Sequence, residues 1–282
     1  MRPPLKIGFI GGGNMAQALI GGLSSRHPDA TFVVVEPFAQ ARDALGRVGP
    51  RVVVHAVPSA DLASCDAVVV AVKPQVFREA VSTAARWLIA PDGAGPLIVS
   101  IAAGVRLREI ARWLGAEHAA TPIVRAMPNT PALVGAGITG LYAAPAVDAA
   151  RRELAQALLA AVGETLWVDD EAKLDAVTAV SGSGPAYVFS FIEALERGAV
   201  ELGLSADQAH RLALATFAGA ARLAQQSDEP VGVLRERVTS KGGTTQAALA
   251  AMQARGVPDA IAEAVRAAAI RSVELGDEFA RD

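Results

Sequence analysis

The stretch LKIGFIGGGNMA, residues 5–16, decides the fold that we expect for this chain. Leu5–Gly11 has the apolar run of a buried strand, Gly11–Gly13 forms a tight turn, and Asn14–Ser25 has the spacing of a helix. This order matches the G-x-G-x-x-A fingerprint of dinucleotide binding, in which the first glycine makes the turn and the second lets a pyrophosphate approach the backbone. Ala16 then lets the helix pack closely on the strand. Cofactor contacts are therefore expected from Gly11, Gly13, Asn14 and Met15.

Strands and helices continue to alternate through the first half of the chain. Runs rich in valine and isoleucine, separated by helical segments, imply a parallel sheet covered on both faces. Two later strands, Gly137–Tyr142 and Thr165–Val168, are expected at the edge of the sheet around a helix at Asp148–Ala161. The sequence thus predicts an α/β Rossmann domain with a doubly wound, mainly parallel sheet over residues 1–168. Its other strands are expected at Thr31–Glu36, Val52–Ala56, Ala67–Val72, Pro96–Ile101 and Ile123–Ala126.

The second half, residues 169–282, is predicted to be an all-α domain. One of its segments, Leu212–Ala224, is apolar around much of its circumference, as buried helices are. Because the predicted helices make only a thin bundle, we expect a homodimer that shares it, with a self-sufficient monomeric bundle as the alternative. The helices are predicted at Lys173–Val180, Pro185–Gly203, Ala206–Gln226, Val231–Arg237, Gln246–Arg255 and Asp259–Ala280.

Composition narrows the class of protein. A chain of 282 residues that is 52% hydrophobic and 20% charged can bury the cores of two ordinary domains. The net charge of −3 and the lack of a basic block argue against a nucleic-acid partner, and no apolar run has the length of a membrane span. A single cysteine, Cys65, excludes an intrachain disulfide and favours the cytoplasm. No metal-ligand spacing is present, so no metal is expected.

Glu36 bears on the choice of cofactor. It ends the second predicted strand, where an acid binds the adenosine ribose hydroxyls and repels the 2′-phosphate of NADP. We therefore expect NADH to be preferred over NADPH. Two alternatives stay open: Arg42 could reach back and restore NADPH binding, or Glu36 could simply cap the strand end in solvent.

Two further loops leave strands at their carboxyl ends, where ligands of such sheets bind. The first contains Ala71, Val72, Lys73 and Pro74, all expected near the cofactor, although Lys73 could equally be a solvated loop lysine. The second, MPNTP at residues 127–131, is stiffened by its two prolines. Asn129 could meet the nicotinamide amide or the substrate, or could form only an Asx turn.

A second glycine-rich stretch, VTSKGGTT at residues 238–245, lies in the helical half. Its glycines permit a tight turn, and the following helix would point free N–H groups at whatever lies in that turn. Such an arrangement suits a carboxylate or a phosphate beside a hydroxyl. An ordinary capped corner between two helices is the alternative.

Together these segments, with SGSGPAY at residues 181–187, resemble pyrroline-5-carboxylate reductases from residue 6 to about residue 275. The glycine-rich turn of the first half is shared by many Rossmann enzymes, whereas VTSKGGTTQAAL is specific to that family. The resemblance implies reduction of 1-pyrroline-5-carboxylate to proline with NAD(P)H, and a helical domain that interlocks into a dimer, with dimers often assembled into a ring. Lys241 departs from the family, which usually has proline there.

The resemblance also implies roles for residues of the second half. Thr245 would contact the ring nitrogen of the substrate, and the N–H groups of Gly243 and Thr244 would hold its carboxylate. Val238 and Ser183 are expected on the substrate side, although the serines of SGSGP could instead only cap a helix that begins at Pro185.

Three other functions compete with this interpretation. A reductase of other cyclic imines would share every motif. A hydroxyacid dehydrogenase would need an acid/base lysine where this chain has Val188, which cannot transfer a proton. A non-catalytic redox sensor that binds a nicotinamide cofactor would need a partner-binding segment, and the sequence shows none.

Overall fold

The protein is described by a computed structural model that covers residues 4–49, 51–89, 95–116 and 121–281. It divides into two compact units: unit 1 comprises Met1–Ser183 with Ala268–Asp282, and unit 2 comprises Gly184–Ala267. The division lies at Ser183 rather than at residue 168, and the end of the last helix returns to unit 1. The functional domains 1–168 and 169–282 remain a prediction alongside these compact units.

Unit 1 is built on one eight-stranded sheet in the order β3-β2-β1-β4-β5-β6-β7-β8. Strands β1 to β6 are mutually parallel, β7 runs antiparallel to β6, and β8 is parallel to β7. The order reverses beside β1, where ligands of doubly wound sheets bind. The Rossmann fold class expected from the sequence is confirmed. The strands are β1 Lys6–Ile10, β2 Thr31–Val35, β3 Val52–His55, β4 Ala67–Val70, β5 Leu97–Ser100, β6 Ile123–Met127, β7 Gly137–Ala143 and β8 Gly163–Trp167.

The central strands of the sheet are apolar on both faces, and helices cover both faces and bury them. Every residue of β4 and β5 is buried, as continuous valine and isoleucine runs predict. Phe77, Val81, Ala84 and Leu88 form one buried stripe along the helix that follows β4. The helices of unit 1 are α1 Asn14–Arg26, α2 Ala39–Gly46, α3 Pro74–Leu88, α4 Leu107–Trp113, α5 Ala149–Ala160 and α6 Lys173–Val177.

Unit 2 consists of helices α7 to α10 and the first part of α11. Ser205 caps α8 by accepting from the Gln208 N–H, and the Gln208 side chain accepts from the Ser205 N–H in return. Phe191 and Phe217 join α7 to α8 with ring centroids 5.3 Å apart. The helices are α7 Gly184–Glu201, α8 Ala206–Gln225, α9 Val231–Arg237, α10 Thr244–Ala254 and α11 Val257–Arg281.

The last part of α11 belongs to unit 1 because polar contacts hold it there. The Ser272 hydroxyl donates to the Asp175 carboxylate over 2.6 Å, and Arg106 pairs with Asp277 over 2.8 Å. Gly276 lies so close to Arg106 that a Cβ there would be 2.9 Å from the guanidinium. These contacts join residues far apart in sequence, which explains why helical periodicity could not indicate them.

Several predicted helix boundaries are wrong by two or three residues, including the end expected at Gly203, which lies at Glu201, and the start expected at Asp259, which lies at Val257. The helix expected over Lys173–Val180 ends at Val177 and continues as one turn of π-helix, Thr178–Gly182. The helix expected from Gln246 begins two residues earlier, at Thr244. Single π-turns have no periodicity that a sequence pattern reveals, and they occur often at functional sites.

Across the residues that the structure describes, we find no helix both long and apolar enough to cross a bilayer.

Candidate functional site

The glycine turn after β1 has the geometry that a pyrophosphate needs. Gly11 has a φ of +94°, and its N–H donates to the Val35 carbonyl over 2.8 Å, which ties the ends of β1 and β2 together. Gly13 occupies the N-cap position of α1, where no side chain covers the end of the helix. A Cβ at Gly13 would meet no protein atom within 4 Å. The first-turn N–H groups of Asn14 and Met15 therefore face a space with room for an anion. These residues fit a dinucleotide.

Glu36 lies beside this turn and is buried, with 6% of its surface exposed. Its Oε2 accepts from the Gly12 N–H over 2.9 Å, and its Oε1 accepts from the Phe38 N–H over 3.0 Å. The alternative in which Glu36 caps the strand end in solvent is wrong. Since each carboxylate oxygen has a second lone pair, the group can still accept from ribose hydroxyls.

Arg42 does not pair with the Glu36 carboxylate in this structure. Its Nη1 donates to the backbone carbonyls of Glu36, over 3.1 Å, and of Pro37, over 2.6 Å. The guanidinium therefore braces the loop between β2 and α2. This contact limits the movement by which Arg42 could reach a 2′-phosphate.

The loop after β4 meets the glycine turn at the same edge of the sheet. The Ala71 N–H donates to the Ile10 carbonyl over 2.8 Å, and a Cβ at Gly11 would lie only 2.7 Å from the Ala71 carbonyl oxygen. Lys73 is exposed and caps α3, and Pro74 is the first residue of that helix. The structure thus brings Ala71 and the turn together and leaves the Lys73 amine at the surface.

Asn129 has a structural partner. Its Oδ1 accepts from the Ile138 N–H over 2.9 Å, which fixes the connection between β6 and β7. A contact with the nicotinamide or the substrate would therefore have to come from the side-chain nitrogen. The sequence left this structural role open as an alternative.

The π-turn brings Gly182 close to the end of β6. The Ser183 N–H donates to the Thr178 carbonyl over 2.8 Å, and the Ser181 hydroxyl donates to the Val177 carbonyl over 3.0 Å. A Cβ at Gly182 would lie 2.7 Å from Cε of Met127, at the end of β6. A side chain at position 182 would therefore have to displace the terminal methyl group of Met127, an approach that no sequence pattern indicates.

In unit 2, the turn between α9 and α10 presents a helix N-terminus. Gly243 caps α10 without a side chain, and Gly242 has a φ of +74°. The Gly243 N–H donates to the Ser240 carbonyl over 3.0 Å, so it is already engaged and would have to leave that partner to hold a carboxylate. Among the described residues, no hydrogen bond is found from the N–H of Thr244 or Thr245.

The side chains of this turn differ in exposure. Thr245 is half-buried, whereas Val238, Lys241 and Thr244 are exposed. The Gln246 side chain accepts from the Gly242 N–H and so stiffens the glycine pair. The turn therefore offers two N–H groups and a threonine hydroxyl within one helical turn, which suits a small carboxylate with a nearby hydrogen-bond acceptor.

Metal-binding clusters and reactive thiols are two further kinds of functional group that a site of this type could contain. No cluster of three or more metal-binding side chains occurs in the described part of the chain. Burial raises the pKa of the Cys65 thiol to about 11. At neutral pH this thiol is protonated and is a poor nucleophile.

Two family models match different parts of this chain. Residues 171–275 match the family model described as pyrroline-5-carboxylate reductase dimerisation, and residues 6–104 match the model described as NADP oxidoreductase coenzyme F420-dependent. The helical half therefore carries a domain of self-association, and the first half is of a type that uses NAD(P)H.

Similarity extends over the whole chain. The chain is 46% identical to a pyrroline-5-carboxylate reductase of Pseudomonas aeruginosa, covering 97% of this chain and 98% of that protein. A solved pyrroline-5-carboxylate reductase of Coxiella burnetii is 37% identical, with a TM-score of 0.88 over 97% of this chain and 99% of that one. A Plasmodium falciparum pyrroline carboxylate reductase with NADP bound is 28% identical, with a TM-score of 0.82 over 96% of this chain and 98% of that one. The chain described here belongs to the pyrroline-5-carboxylate reductase family.

Proposed function

We propose that this chain reduces the C=N bond of 1-pyrroline-5-carboxylate to L-proline by hydride transfer from NAD(P)H, the last step of proline biosynthesis. The observation that carries the proposal is the N-terminus of α10. There two unpaired N–H groups lie beside the Thr245 hydroxyl, in a chain 46% identical to a reductase of this name. The cytoplasm is the proposed location, because a single buried cysteine suits a reducing compartment.

Each unit has a proposed task. In unit 1, Gly11, Gly13, Asn14 and Met15 would hold the pyrophosphate of the cofactor, and the nicotinamide supplies the hydride when bound. In unit 2, the N–H groups of Thr244 and Thr245 would hold the substrate carboxylate, because the helix dipole favours negative charge there. Gly243 would join them only by exchanging its Ser240 partner.

Thr245 is the proposed catalytic residue. A hydrogen bond from its hydroxyl to the imine nitrogen would draw electron density from the C=N carbon and make that carbon a better hydride acceptor. A threonine hydroxyl is a poor acid at neutral pH, so the proton itself would be relayed from water. Val238 and Ser183 are proposed to line the substrate side, and Ala71, Val72, Lys73, Pro74 and Asn129 the cofactor side.

Replacing Thr245 tests this role. Thr245→Ala is expected to lower kcat/KM for pyrroline-5-carboxylate by about 10-fold to 1000-fold, the effect of one positioned donor, and to keep measurable activity. Thr245→Ser restores the hydroxyl and should recover most of the loss. Steady-state kinetics with purified protein gives both values. Activity of the alanine variant equal to wild type would remove Thr245 from the mechanism.

We further propose that NADH is preferred over NADPH. The support is the buried Glu36 carboxylate, held at the glycine turn by two backbone N–H groups, where a 2′-phosphate would meet a fixed negative charge. The Plasmodium relative is a structure with NADP bound, so both cofactors have to be compared with this chain.

Kinetics with the two cofactors measures this preference. Wild type should have the higher kcat/KM with NADH, and Glu36→Gln should shift the NADH-to-NADPH ratio toward NADPH by roughly 10-fold, because a like-charge contact is removed. The glutamine oxygen can still accept from the Gly12 N–H, which retains the contact to the glycine turn, but the contact with the Phe38 N–H is lost because the amide nitrogen is a donor. A wild type that favours NADPH would contradict the argument from Glu36.

We also propose a homodimer through the helical domain, with a ring of dimers as its larger assembly. Along α7, α9 and α10 no described residue is fully buried within the single chain. An apolar cavity of about 580 Å³ opens between Phe191, Phe217 and Ile261. Helices that leave this much apolar surface uncovered need a partner.

A further inference from the structure

Phe38 is an aromatic side chain on the surface of unit 1 that is not packed into the hydrophobic core. It is 73% exposed, and no other phenylalanine, tyrosine or tryptophan in the described part of unit 1 is classed as exposed. The residue lies between β2 and α2, directly before the first residue of α2. Since the ring contributes little to the core, we ask whether its position beside the proposed cofactor site gives it a role in binding.

The position of Phe38 is set by Glu36. The Phe38 N–H donates to Oε1 of Glu36 over 3.0 Å, and the other oxygen of that carboxylate holds the Gly12 N–H. An acid at this place binds the 2′-hydroxyl of the adenosine ribose. The adenine base is attached to the neighbouring ribose carbon, so a base whose ribose meets Glu36 comes within reach of the Phe38 ring.

We propose that Phe38 is the stacking partner of the adenine base, and so a further cofactor-binding residue of this chain. The inference rests on the proposed NAD(P)H-dependent function. Every base has a π-face that can stack on an aromatic ring, and this contact stabilises bound adenosine without any hydrogen bond.

The loop that carries Phe38 is held in place before any ligand binds. Arg42 donates to the carbonyls of Glu36 and Pro37, and Glu36 accepts from Phe38 itself. Because the backbone on both sides of the ring is fixed, binding need order little more than the ring torsions. Preorganisation of this kind improves affinity by lowering the entropy lost on binding.

Equilibrium binding tests the inference without turnover. Isothermal titration would measure the Kd of NADH and of ADP-ribose, which contains the adenosine and the pyrophosphate but no nicotinamide. Phe38→Ala is expected to raise both Kd values by about 5-fold to 100-fold, the range for loss of one base–aromatic stack. Phe38→Trp should bind both ligands at least as well as wild type. Because the ring is exposed, the melting temperatures should agree within about 2 °C.

A control is available beyond the other end of the helix that follows Phe38. Val48 follows the carboxyl end of α2 and is 44% exposed. Because α2 connects the parallel strands β2 and β3, it runs antiparallel to them. Val48 therefore lies toward the amino-terminal ends of the strands, away from the glycine turn. Val48→Ala should leave both Kd values unchanged.

The outcomes separate the inference from the proposed function. If wild type binds both ligands and Phe38→Ala binds them equally well, the stacking role is overturned while the proposed function stands. A loss for NADH without a loss for ADP-ribose would also overturn it, because adenine is common to both. Wild type that binds neither ligand would overturn the proposed function and this inference together.

Discussion

Gly11→Ala is expected to damage both the fold and cofactor binding, whereas Gly13→Ala should damage cofactor binding alone. A Cβ at Gly11 would lie 2.7 Å from the Ala71 carbonyl oxygen, on a backbone whose φ of +94° disfavours any side chain. A Cβ at Gly13 meets nothing in the protein, but it would occupy the space through which a pyrophosphate reaches the α1 N-terminus.

Calorimetry and NADH titration measure the two effects. Gly11→Ala should lower the melting temperature by roughly 5 °C or more, because strain and a backbone clash cost about 2–3 kcal/mol. Both variants should weaken NADH binding by roughly 100-fold, since the anion site depends on close approach to the backbone.

Gly21→Ala is the control for the glycine replacements. Gly21 lies within α1, and a Cβ there also meets nothing within 4 Å. This variant should bind NADH as wild type does and should be as stable or slightly more stable, because alanine favours the helix. If Gly13→Ala kept wild-type affinity, the glycine turn would not hold the pyrophosphate.

Glu171→Ala is expected to destabilise the protein by about 3 kcal/mol or more, the usual cost of leaving a buried charge without its partner. Oε1 of Glu171 accepts from Nη1 of Arg125 over 2.7 Å and from the Leu107 N–H, also over 2.7 Å. The Arg125 side chain is only 8% exposed. Removal of the carboxylate would therefore leave a desolvated guanidinium on β6 and an uncapped α4.

Two variants sharpen this test by urea denaturation. Glu171→Gln keeps an acceptor for both donors and should cost only about 1–2 kcal/mol, the difference between a charged and a neutral hydrogen bond. Glu263→Ala breaks an exposed pair with Arg266 and should change stability by no more than about 0.5 kcal/mol. An equal loss from Glu171→Ala and Glu263→Ala would mean that water reaches Arg125 when its partner is absent.

Much of the site could be predicted because its chemistry follows local rules. A tight turn between a buried strand and a helix needs glycine, so residues 11–16 indicate a dinucleotide turn without knowledge of the rest of the fold. The acid at position 36 follows from the length of one βα unit. By the same logic, two glycines between α9 and α10 indicated a free helix N-terminus.

What those residues actually bond to could not be predicted. The Gly243 N–H is engaged by Ser240, and Asn129 holds Ile138, because the folded chain finds partners for polar groups that a pattern leaves open. The pair of Arg125 and Glu171 was also not predictable from the sequence, because the two residues are 46 positions apart and meet only after the sheet has formed.

The amino-acid sequence by itself determined the alternation of strands and helices, the dinucleotide turn and the helical second half. Periodicity and turn chemistry act over a few residues and are therefore visible in the chain. Only the tertiary structure decided where the compact units divide, how the end of α11 joins unit 1, and that Glu36 is buried against Gly12. These features depend on contacts between residues distant in sequence, and such contacts exist only when the core has brought their elements together.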